Sequence, residues 1–314
     1  MKARSARVRN VAAAGVGLAL LLTGCGAGNE TGGSGGSDGK LAGASISVGS
    51  KEFTESKVLG EITMEVLKNA GADVKTSSLS GSATVREALV KGEVDMYWEY
   101  TGTGWVNILK HTTKDVPKDL YQQVAAEDKT KNKIAWLEPA PMNDTYRIAV
   151  TKDFADKNKL ATMSEAAAYI KANPGNGIVC AASEFINRDD GLPGLQKAYA
   201  FEFAKVVELD LGLVYTQIGK KCDFGEVFST DGRIVANNLV ILDDDKKFFV
   251  DYNAALTMRE ETLVKYPAIA DLMAPISKAL TNEEITKLNA SVDVDGEKES
   301  DVAKQWLEEK KLLG

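Results

Sequence analysis

The residue types that most often carry catalysis or metal binding are scarce in this chain. Its 314 residues include a single histidine, His111, and three cysteines. One histidine excludes a multi-histidine metal site, and a Ser-His-Asp hydrolase would depend on that residue alone. His111 lies in a polar stretch, residues 110–114, without an evident partner. This context disfavours a secreted hydrolase, which we keep as an alternative interpretation.

Cys25 ends a segment typical of an export signal. Basic residues precede an apolar run, residues 11–22, that is too short to cross about 30 Å of hydrocarbon as a permanent helix. The Leu-Thr-Gly-Cys ending resembles the bacterial lipobox, in which the cysteine is lipid-modified and becomes the new N-terminus. An ordinary signal peptide with an incidental cysteine is the alternative. We expect a signal peptide over residues 1–25, lipid on Cys25 and a flexible Gly/Ser tether over residues 26–43.

Cys180 and Cys222 remain after the lipid-modified cysteine. Disulfides persist in exported proteins, so a bond between these two residues is the leading interpretation. Two buried free thiols or half of a metal site are the alternatives. No histidine lies near either cysteine in the sequence, which disfavours the metal.

The composition is that of a globular, acidic protein, with 44% hydrophobic and 26% charged residues. The formal net charge is −7, and residues 1–25 hold four basic residues and no acidic one, so the remaining chain is more acidic still. No basic stripe is left to neutralise phosphates, which argues against nucleic acid as a partner.

Short β-like runs alternate with amphipathic helices after residue 40. Strands are expected near residues 46–49, 74–79 and 94–98, with a helix after each of the first two. Thr54 is expected to cap the first helix. Its buried face is predicted to consist of five apolar residues: Val58, Leu59, Ile62, Val66 and Leu67. This βαβαβ order predicts a mostly parallel sheet with helices on both faces.

A second α/β pattern follows. It comprises a strand at 147–151, a helix at 164–171, a strand at 177–182, a loop at 184–194, a helix at 195–207, and strands at 226–230 and 239–244. Helices are expected from Tyr266 onward, and one of them has a capping-box-like start at Thr281. We expect an α/β fold of two lobes, with residues 44–147 plus 253–314 in lobe I and 148–252 in lobe II. A hinge would join the lobes, with a ligand cleft between them.

Five strings of residues carry a resemblance to a known family. In order and spacing they resemble the substrate-binding proteins of ABC transporters for glycine betaine, choline and related quaternary amines. The strings are VGSKEFTE (48–55), YWEYTGTG (97–104), NDTY (143–146), STDGR (229–233) and FFVDYNAA (248–255). The resemblance covers the chain from about Ser45 to Leu312 and implies a periplasmic-binding-protein fold.

The resemblance implies an aromatic box for the trimethylammonium head of the ligand. Tyr100, Tyr146 and Tyr252 match three walls of that box. The fourth wall falls at or beside Phe228, where the family usually carries a tyrosine. The missing phenol removes one potential hydrogen bond to a ligand tail and leaves the ring face.

Four further residues match pocket positions of the family. Thr103 and Arg188 match positions that hold the carboxylate of the ligand. Lys51 and Asp144 match pocket positions whose role the resemblance defines less closely. A planar guanidinium suits a carboxylate because it can donate two parallel hydrogen bonds.

The resemblance implies an extracytoplasmic receptor rather than an enzyme, with no cofactor. We expect a monomer, lipid-anchored on the outer face of the cytoplasmic membrane, that binds a quaternary amine and delivers it to an ABC permease with its ATPase. A ligand sensor with the same fold but no transport role is an alternative. The sequence leaves open which quaternary amine is bound.

Overall fold

Ten strands form the framework of residues 39–313, the part of the chain that this computed structural model describes. They are β1 Ser45–Lys51, β2 Asp73–Leu79, β3 Met96–Tyr100, β4 Ile134–Trp136, β5 Tyr146–Thr151, β6 Ile178–Ala181, β7 Lys205–Glu208, β8 Phe224–Phe228, β9 Leu239–Ile241 and β10 Ala254–Arg259. The strand orders of the two five-stranded sheets are β2-β1-β3-β10-β4 and β7-β6-β8-β5-β9. The predicted lipobox cysteine Cys25, the signal peptide and most of the tether lie outside the described residues.

Helices cover both sheets. They are α1 Thr54–Asn69, α2 Gly81–Lys91, α3 Thr101–Thr103, α4 Leu120–Asn132, α5 Lys152–Asn158, α6 Met163–Ala172, α7 Ser183–Asn187, α8 Leu192–Tyr199, α9 Leu211–Gln217, α10 Arg233–Ala236, α11 Glu260–Lys265, α12 Ala268–Ala279, α13 Asn282–Asp293 and α14 Glu299–Glu309. A π-helical turn, Gly104–Ile108, continues directly from α3. Within residues 39–313 no helix combines the length and the apolar character needed to cross a bilayer.

Each sheet is mixed, so the prediction of a mostly parallel sheet is wrong. In the first sheet β1 runs parallel to β2 and β3, but β10 runs antiparallel to β3 and β4. In the second sheet β6 runs parallel to β7 and β8, but β5 runs antiparallel to β8 and β9. The antiparallel pairs arise because β10 returns to the first sheet from the second, and β5 is the first strand to enter the second sheet.

The predicted two-lobe α/β fold is confirmed by these sheets. Residues 45–136 and 254–259 build the first sheet, and residues 146–241 build the second. The chain crosses between the lobes at residues 137–145 and again at residues 242–253. The two crossings are adjacent, since Asn143 and Asn253 form a bridge between them.

Helix α1 buries the face that the apolar spacing predicts, because Val58, Leu59, Ile62, Val66 and Leu67 are all at most 4% exposed. Helix α2 ends at Gly92, which adopts φ +78°. A residue with a side chain would be strained in that left-handed conformation.

Two local predictions are wrong. Thr54 does not cap α1; its hydroxyl donates to Asp293 Oδ1 at 2.6 Å, and the cap position is Phe53. The predicted helix over 195–207 ends at Tyr199, and residues 205–208 form the edge strand β7 instead. Ala200 ends the helix in a left-handed conformation with φ +54°, for which an alanine gives no sequence signal.

Cys180 and Cys222 are joined by a disulfide within the second lobe. Their Cα atoms lie 5.6 Å apart, and both side chains are buried. Cys180 lies on β6, and Cys222 lies two residues before β8, which pairs with β6. The bond therefore reinforces a pair of neighbouring strands.

The chain is packed against lobe I before residue 44. Residues 39–43 form a turn, and the Leu41 side chain is buried. The Leu41 backbone N–H donates to the carbonyl of Ala70 at 2.9 Å, at the end of α1. The predicted boundary between tether and lobe I falls within this packed turn.

Candidate functional site

A cavity of about 890 Å³ lies between the two lobes. All eight residues predicted from the sequence to contact a ligand line it: Lys51, Tyr100, Thr103, Asp144, Tyr146, Arg188, Phe228 and Tyr252. Lobe I and lobe II both contribute side chains to this lining. The structure therefore brings together residues that are up to 201 positions apart in the sequence.

Strand ends position most of these side chains. Lys51 ends β1, Tyr100 ends β3 and Phe228 ends β8, whereas Tyr146 begins β5. Because β5 is antiparallel to β8, Tyr146 and Phe228 lie directly opposite each other in the second sheet. Side chains thus converge where the edges of both sheets face the cleft.

Gly102 allows Tyr252 to approach α3. A Cβ atom at position 102 would lie 2.6 Å from the ring of Tyr252, which is closer than real Cβ contacts occur. The glycine in the YTGTG string is therefore required by the close contact between α3 and this ring.

Five aromatic rings form a continuous set along the cleft. Ring centroids are 5.0 Å apart for Tyr146 and Phe228 and 5.7 Å apart for Tyr146 and Tyr252, the latter pair edge to face. Phe53 continues the set, at 5.1 Å from Phe228 and 6.2 Å from Tyr100. We name these five residues the ring set. Phe53 was missed as a candidate site residue, although it lies within the string at 48–55.

The hydroxyl groups of two of these rings are held by buried carboxylates. Tyr100 donates to Glu55 Oε1 at 2.8 Å, and Tyr252 donates to Asp190 Oδ2 at 2.6 Å. Burial raises the pKa of both tyrosines well above its ordinary value, and the neighbouring carboxylates raise it further. Both phenols therefore stay neutral.

Arg188 is buried and surrounded by hydrogen-bond acceptors. Its Nε and Nη2 donate to the two oxygens of Asp190 at 2.8 and 2.7 Å, and its Nη1 donates to Glu184 Oε1 at 2.5 Å. Nη2 also donates to Thr103 Oγ1 at 3.2 Å, which links the two lobes. Burial acts to raise the pKa of Glu184, but the charges of Lys51 and Arg188 and hydrogen bonds from Ser82 outweigh it and hold the pKa at about 2.

Lys51 is also paired inside the protein. Its Nζ lies 2.6 Å from Glu99 Oε1, and both side chains are buried. The other oxygen of Glu99 accepts from the hydroxyl of Tyr97 at 2.9 Å. The ammonium group lies 4.9 Å from the centroid of the Tyr100 ring, so it contacts the ring set as well.

Glu55 and Asp144 share the hydroxyl of Thr230 across the lobes. Thr230 Oγ1 lies 2.6 Å from Glu55 Oε2 and 2.7 Å from Asp144 Oδ1. A threonine hydroxyl has only one hydrogen to donate, so one of the two carboxyl groups must carry a proton. Consistently, burial raises the pKa of both acids, and the charge of Glu55 raises that of Asp144 further.

Glu226 is a further buried acid in the lining of the cavity, and the sequence analysis missed it. It lies on β8 two residues before Phe228, so both side chains point to the same face of the sheet. Its Oε2 accepts from the Ala182 backbone N–H at 2.7 Å. Burial raises the pKa of Glu226 to about 8.

His111 has a partner, contrary to the sequence-based expectation. Its Nε2 lies 2.9 Å from Glu127 Oε2, and its ring stacks on Trp105 with centroids 3.7 Å apart. It is not among the residues that line the cavity. In residues 39–313, no group of three or more His, Cys, Asp or Glu side chains is arranged to hold a metal ion.

Comparisons with known proteins relate this chain to proteins of glycine betaine transport systems. Residues 44–309 match the family described as the substrate binding domain of the ABC-type glycine betaine transport system. The chain is 34% identical to the glycine betaine-binding protein YehZ of Escherichia coli, over 86% of this chain and 92% of YehZ. It is 32% identical to a glycine-betaine-binding protein of Pseudomonas aeruginosa, over 85% of this chain and 88% of that protein.

A solved structure shares the fold. The crystal structure of a glycine betaine/carnitine/choline ABC transporter protein superposes with a TM-score of 0.70 and 26% identity, covering 86% of this chain and all of that chain. The family match spans nearly all of the described residues, and the two relatives exceed 30% identity over most of their length. The chain therefore belongs to the family of substrate-binding domains of ABC-type glycine betaine transport systems.

Proposed function

We propose that this protein is a receptor that captures a small quaternary amine in the cleft between its lobes and delivers it to an ABC permease. The observation that carries the proposal is the ring set, Phe53, Tyr100, Tyr146, Phe228 and Tyr252, which lies along the cavity with neighbouring centroids 5.0–6.2 Å apart. The relatives named for glycine betaine support the same ligand class.

Ring faces suit a trimethylammonium group for a specific chemical reason. The group carries a diffuse positive charge but no N–H donor, so a carboxylate cannot hydrogen-bond to it. The negative face of an aromatic ring attracts the charge and excludes water, and each good contact contributes roughly 0.5–2 kcal/mol. A site for primary amines would need paired acceptors instead.

The remaining predicted residues would contact the tail of the ligand. If the ligand carries a carboxylate, Thr103 and Arg188 are the residues that it would contact, because both line the cavity. Lys51 and Asp144 line the same cavity and would contribute to its charge.

Membrane attachment completes the proposal. The Leu-Thr-Gly-Cys sequence ending at Cys25 and the Gly/Ser segment after it support a lipid anchor on the outer face of the cytoplasmic membrane. A receptor attached in this way would stay close to its permease, and hydrolysis of ATP would belong to another subunit.

A thermal-shift screen tests the ligand class. Purified protein would be heated with glycine betaine, choline, carnitine, proline betaine or glycine, each in large excess. A ligand present at 100 times its dissociation constant stabilises the folded state by about 2.7 kcal/mol, so a true ligand gives a clear rise in Tm. We expect a rise with at least one quaternary amine and none with glycine. No rise with any quaternary amine would contradict the proposed ligand class.

Delivery to a permease needs a separate measurement in cells. Deleting the gene in its native host should abolish high-affinity uptake of the radiolabelled ligand found in the screen, and re-expression should restore it. Unchanged uptake would favour a sensor role over transport.

A further inference from the structure

The guanidinium of Arg188 is already occupied by two protein carboxylates. Asp190 accepts hydrogen bonds from Nε and from one hydrogen of Nη2, and Glu184 accepts one from a hydrogen of Nη1. The Thr103 hydroxyl takes the second hydrogen of Nη2. A guanidinium has five N–H hydrogens, and these bonds use four of them. Because both acids are ionised, with their pKa values lowered, this group of three charges is net negative.

Glu184 and Asp190 differ in their exposure to the cavity. Asp190 is almost completely buried behind the guanidinium, whereas the Glu184 side chain is 29% exposed and lines the cavity. The Glu184 carboxylate therefore occupies the cavity side of Arg188, where a ligand carboxylate would have to bind.

Glu184 also connects the two lobes. It lies on α7 of lobe II, and it accepts from the Ser82 backbone N–H at 3.0 Å and from the Ser82 hydroxyl at 2.7 Å. Ser82 is in the first turn of α2 in lobe I, where free backbone N–H groups favour an anion. A ligand carboxylate that displaced Glu184 from Arg188 would disturb this contact between the lobes.

The other cations of the lining are paired with acids of their own, although the charge of Lys51 also acts on Glu184. The lining of the cavity includes three cationic residues, and the other two, Lys51 and Arg233, are paired with Glu99 and Asp231 at 2.6 Å each. The lining also includes three exposed acidic residues: Glu52, Glu208 and Asp210.

We propose that Glu184 sets the charge class of the ligand, by holding the donors that a ligand carboxylate would need, so that the cleft favours a cationic, carboxylate-free quaternary amine over a zwitterionic one. This inference rests on the proposed function. Choline would leave the contacts of Glu184 with Arg188 and Ser82 in place, whereas glycine betaine would have to compete with them.

The test compares choline and glycine betaine by isothermal titration calorimetry. Wild-type protein should bind choline more tightly. Glu184→Gln removes the negative charge but keeps a carbonyl oxygen that can accept from Ser82 and Arg188. We expect this variant to raise the affinity for betaine relative to choline at least tenfold. Glu87→Gln is the matched control, since it removes an exposed carboxylate that lies outside the lining of the cavity, and its ratio should stay within about threefold of wild type.

Each outcome decides the inference. Tighter binding of betaine than of choline to wild type would overturn it, even if the Glu184→Gln variant failed to fold. An affinity ratio that Glu184→Gln leaves unchanged, or that Glu87→Gln changes equally, would overturn it as well. These results would leave the proposed function standing, whereas the absence of binding of choline, glycine betaine, carnitine and proline betaine to wild type would overturn both.

Discussion

Glu226 provides a sharp test of the electrostatics of the cleft. This acid is buried in the lining of the cavity, and its carboxyl group accepts a single backbone hydrogen bond, from Ala182. Burial raises its pKa from 4.5 to about 8. The change to examine is Glu226→Gln, which keeps the shape and an acceptor oxygen but cannot ionise.

The sign of the effect follows from proton linkage. In the unfolded chain Glu226 is ionised above pH 4.5, whereas in the folded protein it keeps its proton up to about pH 8. Folding therefore takes up a proton in this interval. The contribution of Glu226 to stability is fully present below pH 4.5 and is lost as the pH rises through about 8.

The size of the effect follows from the pKa difference. At about 1.4 kcal/mol per pH unit, the full shift corresponds to about 5 kcal/mol. Between about pH 5 and pH 8 the loss in the wild type amounts to about 3–4 kcal/mol. The glutamine variant lacks this loss, so its stability relative to wild type should increase by that amount over the same interval.

Urea unfolding at pH 5, 6, 7 and 8 measures this difference. The other titrating groups are present in both proteins, so their contributions cancel when the free energies of unfolding are subtracted. Glu208→Gln is the control, because it makes the same chemical change at an exposed carboxylate of the same cavity. Parallel profiles for wild type and Glu226→Gln would refute the assignment of a buried, protonated acid.

Three further predictions follow from the sequence and the structure. Replacing Cys180 and Cys222 together by serine should lower the free energy of unfolding, measured in urea, by about 4 kcal/mol, as expected for a closed loop spanning 42 positions. Unchanged stability would count against the bond, and so would two free thiols in non-reducing peptide maps of protein from the native host. Tyr146→Ala should weaken binding of the quaternary amine by roughly 5- to 30-fold in calorimetry. Tyr146→Phe should weaken it less, because the ring face remains. Equal affinities of the wild type and both variants would exclude Tyr146 from the site. Cys25→Ala should abolish acylation, and an unchanged N-terminal mass with unchanged detergent partitioning would contradict the anchor.

Local patterns predicted much of the fold. Helix α1 carries a run of apolar residues at helical spacing, and this face is buried as expected. The apolar spacing of α8 continues through Val206 and Val207, so the sequence predicts a helix up to residue 207 where the structure has the edge strand β7. The residue that ends that helix is Ala200, and its left-handed conformation is one that alanine disfavours.

The partners of polar groups could not be predicted from local sequence. Thr54 has the sequence context of a helix cap, yet its hydroxyl donates to Asp293, which is 239 positions away. The direction of β10 depends in the same way on the return of the chain from the second lobe. Both features result from contacts that form only when distant segments meet.

The site residues that could be predicted from the sequence are those whose side-chain type suits the proposed ligand. Tyr100, Tyr146 and Tyr252, which lie in three of the matched strings, line the cavity, and so does Arg188. Phe53 lies in one of these strings but was missed, since a phenylalanine ahead of a helix resembles an ordinary packing residue. Glu184 falls at the start of the predicted loop at 184–194, and its contact with Ser82 across the lobes needs the three-dimensional structure.

The central claim is that the cleft recognises a fully methylated ammonium group through ring faces. Its most direct test is calorimetric titration of the wild-type protein with choline and with its analogues that carry two, one and no N-methyl groups. Each methyl group removed exposes an N–H donor, and a donor buried among rings without an acceptor costs about 1–3 kcal/mol. The account predicts that affinity falls at every step and is lost with ethanolamine. Binding of ethanolamine as tight as that of choline would contradict it.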